Sequence, residues 1–563
     1  MMKQKLGTQN FYQRLSFIGM AFSAASVLAG NFVPSESAKV PDPSREARMS
    51  WIATVWNIDW PSKPGLSPEQ QQAELTALLD KAEQSKLNTL IFQVRSEGDA
   101  MYESQAKAPE PTSFWLTGES GAPLPKYDSL GKKGVEKLDP LAFAVKEAHK
   151  RGIELHAWVN PFRARATDSH PVSKDHPSVT KAPTTFQAGT QTWFNPGSKA
   201  AVQHTLDVIK DISTRYDVDG IHIDDYFYPY PVKGKAIYND EGTPGRPSND
   251  EEILKWRQNN VNTFVEDLYK TVHGAKDGSI RVGISPFGIA ANDRPKGVQS
   301  GLNPAIDLAA DAELWLKNGW LDYLSPQLYW RSGGPQDFVS LNKFWQEEAA
   351  NPTGRHVWPG MGTERIENEK YSYEYGEKIT EDGKKIKITR PPEEVANQIN
   401  LIRESALKQG RSPGHAHWGF GTIKDDTKGV QAQLQKVYDD LALTPATPWL
   451  APSGSAAPKK PRDFVVTSGK TGSILKWKPE SPDAKIKWWV IQVGEGNPMK
   501  WRTEKILPGE TSEIEINSIQ NAEYLSIRAV DNFGRTSDPN VLEKSASKVD
   551  EALVIEDEKT HSK

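Results

Sequence analysis

From Met49 to about Leu443, short runs of apolar, β-branched residues alternate with longer stretches whose apolar positions recur every three or four residues. The first pattern predicts strands and the second amphipathic helices. Strands are expected at 50–58, 89–94, 154–159, 220–224, 281–285, 323–327, 356–360 and 415–419. Helices are expected between and after them at 68–85, 140–150, 199–215, 250–273, 304–318, 335–350, 392–408 and 428–441. Several open on a Pro or an acidic residue, as helix starts do. Eight strand-then-helix units predict an α/β fold of the (β/α)8 TIM-barrel type over 48–443. A doubly wound sheet alternates in the same way, but no glycine-rich nucleotide loop follows the first strand.

Four strands are followed by long polar connections rich in Pro, Gly and aromatics, at 95–137, 160–198, 226–249 and 361–391. In a barrel all four lie on the C-terminal face, where active sites are built. Loops of that length are commonly functional, and four together predict a walled cleft. Within the last, 369–388 reads as a hairpin flap turning at Asp382-Gly383. Residues 444–461 form a Pro/Ala/Ser linker. Alternating strands then follow at 463–466, 473–477, 487–493, 511–516 and 524–529, with Trp477 and Tyr524 as core anchors. They predict a small all-β sandwich over 462–544. The run YLSIRAVDNFGRTSDP (524–539) resembles the end of a fibronectin type III domain. The charged tail 545–563 reads as disordered.

At the N-terminus, Lys3, Lys5 and Arg14 precede an uncharged run, LSFIGMAFSAASVLAG (15–30). That is the pattern of a secretory signal, within a leader over 1–35, and it is short for a spanning helix. No second run of spanning length follows. The expectation is an exported protein, periplasmic or at the cell surface. The chain has no cysteine, which removes disulfides, thiol nucleophiles, cysteine-zinc sites and a lipid-bearing cysteine anchor. Lys+Arg 69 against Asp+Glu 73 leaves no basic field for nucleic acid. A polysaccharide is the expected partner; protein partners are left open.

The strand ends carry the candidate chemistry. Arg95, Glu97 and Asp99 cluster just past the second strand, either as an ion pair bracing a loop or as a carboxyl tuned beside a guanidinium. The third strand ends His156-Ala157-Trp158-Val159-Asn160, with Arg163 beyond, and alternation puts His156 and Asn160 on one side. The fourth ends His222-Ile223-Asp224-Asp225-Tyr226-Phe227-Tyr228. Alternation sends the adjacent carboxylates to opposite sides, so that one faces the axis with His222. Gln327, Tyr329 and Trp330 follow the sixth strand, Glu364 and Arg365 the seventh. The eighth carries His415, His417 and Trp418. Two histidines alone do not make a zinc site, so neither metal nor cofactor is expected.

The runs SWIATVWNIDWP (50–61), IFQVRSEGDAMY (91–102), DPLAFAVKEAHKRGIELHAWVNPFRA (139–164), YDVDGIHIDDYFYP (216–229), RVGISPFGI (281–289) and WLDYLSPQLYW (320–330) resemble glycosyl-hydrolase-like family ten, which includes a divisome-localised glycosidase. The resemblance spans about residues 48–443. It implies a TIM-type barrel that cleaves glycan strands, and in its divisome branch peptidoglycan glycan stripped of stem peptides. It maps the acidic residue after the second strand onto Glu97 and the paired aspartates onto Asp224 and Asp225. A looser similarity links DGIHIDDY (219–226) to the chitinase motif DGxDxDxE. His222 replaces an Asp there, Tyr226 replaces the acid Glu, and Asp224 falls on the residue that orients the acetamido group.

The sequence therefore reads as a glycoside hydrolase of the bacterial envelope. Glu97 is the expected general acid/base. Asp224 or Asp225 is the second carboxylate, as nucleophile, base or acetamido orienter. Sugar contacts are expected from Arg95, Asp99, His156, Asn160, Arg163, His222, Tyr226, Tyr228, Gln327, Tyr329, Trp330 and Trp418. The rivals are a non-catalytic glycan-binding or wall-scaffold protein, and a metal-dependent deacetylase using His415, His417 or Asp224.

Overall fold

The computed structural model describes residues 32–127, 136–180, 184–232, 237–347, 349–381 and 384–545. The signal-like run 15–30, the tail beyond 545 and the Asp382-Gly383 turn lie outside the described residues.

Eight parallel staves form the barrel. The first five are Ala47–Ile52, Thr89–Arg95, Glu154–Val159, Gly220–Ile223 and Arg281–Ile284. The sixth is divided into Tyr323–Leu324 and Gln327–Leu328, and the seventh into His356–Val357 and Gly360–Gly362. Gly414–Trp418 is the eighth. Pro326 and Pro359 divide the two broken staves, because proline has no N–H for the ladder. Both halves still pair, Tyr323 with His356 and Gln327 with Gly360. Between them Trp358 N donates to Leu324 O at 2.8 Å and Gly360 N to Pro326 O at 2.9 Å. The eighth stave pairs with the seventh and the first, so the sheet closes on itself.

Helices cover the outside. Their starts follow from local sequence: Ser67 and Gln70 form a reciprocal cap on Pro68–Gln84, Asp139 caps Pro140–Lys150 and Ser198 caps Lys199–Arg215. The expected helix over 304–318 is two, Pro304–Asp307 and Ala312–Asn318. Ala309 has φ +51°, and Asp311 caps the second piece.

The interior is filled by a layer of large aromatics facing glycines. Trp51, Trp158, Tyr323 and Trp358 cluster there with Met49 and Ile91. Opposite them stand glycines. A Cβ at Gly220 would meet the His156 ring, at Gly283 the Tyr323 ring, at Gly360 the Trp51 ring and at Gly414 the Trp358 ring. This large-against-small filling makes the barrel a packed core rather than a pore.

The C-terminal part is two packed sheets. One holds Arg462–Ser468, Ser473–Lys478 and Glu513–Ile516; the other holds Trp488–Glu495, Lys500–Pro508, Tyr524–Val530, Asn540–Lys544 and the N-terminal Phe32–Pro34. Trp477 anchors the core as expected, edge-on to Trp489 at 6.0 Å. Tyr524 does not: it is only half-buried, and its hydroxyl donates to Glu543. The sandwich docks under the barrel, at the end opposite the four long loops. Its Lys487 pairs with Asp219, which also accepts from His149 Nε2 at 2.9 Å and Leu155 N at 2.6 Å. Thr447 is buried, and Trp449 Nε1 donates to Asp322 at 2.7 Å, so residues 444–450 lie against the same end.

The facing pairs give a direct test. Gly283→Ala should destabilise by roughly 3 kcal/mol or more, because its methyl has no space beside Tyr323. Adding Tyr323→Leu should restore part of the loss. Thermal unfolding of the single and double variants checks both.

Candidate active site

The third and fourth staves set the centre of the mouth. They run in register with Trp158 beside His222, so one step further Asn160 stands level with Asp224. Trp158 Nε1 and Asn160 Nδ2 each donate to Asp224 Oδ2 at 3.1 Å. The other oxygen, Oδ1, is buried and has no hydrogen-bond partner among the described residues. The residue is 4% exposed. Burial, and then the charge of Asp225, push the Asp224 carboxyl up to about 7, with Arg163 and the Trp158 hydrogen bond pulling against them.

Asp225 reaches the same mouth. Strict alternation predicted that it would turn away, but the strand stops at Ile223 and both aspartates sit in the bend beyond it. Tyr230 donates to Asp225 through a short hydrogen bond, and Gln327 adds another. Burial raises its pKa and these bonds oppose that. Around the two carboxylates stand Tyr226, under the Arg163 guanidinium at 4.6 Å, and Tyr329, stacked with Trp418 at 6.4 Å. Trp330 packs edge-on to Phe287. Arg163 is fixed by two bonds to Ser96 O, at 3.0 and 2.8 Å. The structure thus gathers Asn160, Arg163, Asp224, Asp225, Tyr226, Gln327, Tyr329 and Trp418.

Glu97 has different partners from this group and the opposite direction of pKa shift. It is 1% exposed. Ala166 N donates to its Oε2 at 2.5 Å, and His170 Nε2 stands 3.5 Å from Oε1. Burial raises its pKa, but His170 and the Ala166 amide outweigh burial and hold it below the ordinary carboxylate value. Glu97, the expected general acid/base, thus ties the second long loop to the first. Asp99 is buried beside it, accepts from Glu97 N and is pushed up by burial and by the Glu97 charge.

Four further expected contact residues are held within the protein. Arg95 is fully buried and grips Glu110 through three bonds of 2.6–2.9 Å, while its Nη1 donates to Asn160 O at 2.5 Å. His204 holds the same carboxylate at 3.0 Å. Arg95 braces the loops, and its partner is Glu110 rather than Glu97 or Asp99. His156 and His222 sit below the mouth, each with Nδ1 on the Tyr323 hydroxyl at 2.8 and 2.9 Å. Burial lowers both pKa values, so these rings are neutral. Tyr228 is buried toward Arg257 and Tyr238.

His415 and His417 turn outward, both facing the Tyr438 hydroxyl, and His417 also meets Thr363. They stand on the opposite face of the barrel wall from Asp224, so the three do not converge as a deacetylase would need. Two residues were not anticipated. Tyr230 is one. The other is Asp59, which accepts from Ala53 N and Gly421 N and is raised to about 6 by burial. Only its place after the first stave signalled it.

A family model described as glycosyl hydrolase-like 10 matches residues 46–375. The glycosyl hydrolase YngK of Bacillus subtilis (strain 168) is 33% identical over 492 residues, covering 84% of this chain and 88% of its own. The glycosyl hydrolase DigH of Escherichia coli (strain K12) is 28% identical over 357 residues, covering 57% of this chain and 74% of its own. Among solved structures, the PgaB (BpsB) glycoside hydrolase domain from Bordetella bronchiseptica aligns at 12% identity with a TM-score of 0.41, covering 71% of this chain and 100% of that one.

The state of Asp224 makes a stability prediction. Its folded pKa lies above its ordinary value of 3.8, so the folded state binds the extra proton between those values. Stability then falls as pH rises through that window. Asp224→Asn removes the effect. The variant's stability relative to wild type should climb from about pH 4 to about pH 7 and then level, with a ceiling of roughly 4 kcal/mol, and its relative melting temperature should follow the same course. Parallel melts across pH check this.

Proposed function

The chain belongs to the glycosyl hydrolase-like 10 family, and from that premise we propose that this glycoside hydrolase cuts peptidoglycan glycan strands lacking stem peptides, with Asp224 as its proton donor. One observation carries the residue assignment: a buried carboxyl with an unpartnered oxygen, raised to about 7, at the centre of an aromatic mouth. A general acid works best with a pKa near its operating pH. Glu97 lacks that state.

The step is a proton transfer from Asp224 Oδ1 to the glycosidic oxygen as its bond to C1 breaks. Trp158 and Asn160 keep Oδ2 engaged and so fix which oxygen gives the proton. Asp225, held by Tyr230 and Gln327, is the second carboxylate and polarises the group that adds to C1. Water supplies the hydroxyl of the new reducing end and the proton that restores Asp224. The rings of Tyr226, Tyr329 and Trp418 offer flat apolar faces to the C–H faces of sugars.

The resemblance of six separated sequence blocks and the signal-like N-terminus support this substrate reading, since both fit an exported enzyme acting on the envelope's polysaccharide. Among the described residues no helix is long and apolar enough to cross a membrane.

Purified peptidoglycan, intact and amidase-stripped, is the test substrate, read by reducing ends and mass spectrometry. Stripped strands should yield new fragments. Asp224→Asn should lower turnover by roughly 10²–10⁴-fold, and kcat/KM should fall as pH rises above about 7. Glu97→Gln, assayed where it is folded, should keep turnover within about tenfold of wild type. Binding of stripped strands without any cleavage would favour the scaffold reading instead. If Glu97→Gln alone abolishes turnover, the assignment of the acid reverts to Glu97.

A further inference from the structure

The loop after the first stave presents an aromatic that the barrel does not need. Trp56 is 52% exposed, and Ile58 beside it is 53% exposed. It follows the C-terminal end of the first stave, on the mouth side of the barrel, with about half of its surface uncovered. Its backbone adopts φ +57°, and the next residue, Asn57, adopts φ +53°. Two consecutive non-glycine residues in the left-handed region are strained. The loop nevertheless holds them by several fixed bonds. Asn57 Nδ2 donates to Trp115 O at 2.8 Å, Ala53 N donates to Asp59 Oδ2 at 2.8 Å and Gly421 N donates to Asp59 Oδ1 at 3.2 Å.

The ring itself is supported from beneath. Trp115, which is buried, lies 4.8 Å from Trp56 between ring centroids. Trp115 in turn meets His170 at 5.1 Å, and His170 sits on Glu97. The exposed ring is therefore mounted on the same loop scaffold that Glu97 anchors. The second and third staves stand between the first and the fourth in the closed sheet, so this platform and Asp224 occupy different parts of the rim. A rigid, half-covered indole at a rim, displayed at a cost in backbone strain, has the properties of a binding platform: large contact area and little conformational freedom to lose.

We propose that Trp56 forms a distal subsite, stacking a pyranose unit of the glycan chain away from the bond cut at Asp224. This rests on the glycan-strand reading above. The consequence is chain-length dependence: short oligosaccharides occupy only the centre, and longer ones gain the Trp56 contact. Such a site favours cutting within strands over trimming their ends.

The test uses the full chain carrying Asp224→Asn, so that cleavage is slowed well below the time of a titration, and calorimetric titration with N-acetylglucosamine–N-acetylmuramic acid oligosaccharides of two, four and eight units, whose integrity is checked by mass spectrometry afterwards. Adding Trp56→Ala should weaken the longest ligand by roughly 10- to 30-fold and leave the shortest unchanged. Trp56→Phe should recover most of that loss. Equal melting temperatures for the three proteins establish that the ring, and not the loop fold, is responsible. If long and short ligands bind and Trp56→Ala changes neither, or weakens both equally, the subsite is refuted while the substrate reading stands. If no oligosaccharide binds even with Trp56 present, the substrate reading is refuted and the subsite with it.

Discussion

A closed eight-stave barrel must fill its interior, and here it does so with rings set against glycines. Trp51, His156, Tyr323 and Trp358 occupy space that a methyl at Gly360, Gly220, Gly283 or Gly414 would take. That filling fixes the register of the third and fourth staves. The register in turn puts Trp158 and Asn160 against one oxygen of Asp224. The chemistry of the mouth is therefore a consequence of packing several residues below it. The bottom of the barrel is closed differently, by the sandwich and residues 444–450. Asp219 and Asp322 each collect a histidine, a strand N–H and a group from the C-terminal part there. Function and docking are kept at opposite ends.

The mouth separates its carboxylates by environment. Glu97 gains an amide and a histidine and stays ionised. Asp224 is buried with one oxygen bare beside a second acid, and its pKa is pushed up to about 7. Two acids near one cleft with pKa values pushed apart is how such sites divide labour. In the proposed mechanism the residue after the second stave anchors loops and the residue after the fourth transfers the proton.

Periodicity made the barrel legible. The strand at 154–159 and the helices at 140–150, 199–215 and 250–273 lie where the apolar spacing put them, because one face of each is buried and the code is local. The sixth and seventh staves were read as continuous since a proline inside a stave breaks the ladder without changing the apolar pattern. Lys500–Pro508 was missed because its strand alternates charge with apolar residues at an edge. The cluster at 95–99 showed that charge was concentrated there. It did not show that Arg95 would leave its neighbours for Glu110, fifteen residues on in a loop without period. Tyr230 on Asp225 was hidden for the same reason. Asp224 was legible as a candidate from alternation, but its state depends on Trp158, Asn160 and Asp225 meeting in space.

The central claim is that Asp224 carries a proton near neutrality. Infrared difference spectra between wild type and Asp224→Asn, taken from about pH 5 to about pH 9, read it directly. A protonated carboxyl C=O band, absent in the variant, should titrate away near pH 7. A residue ionised across the whole range, with no such band at any point, would contradict it.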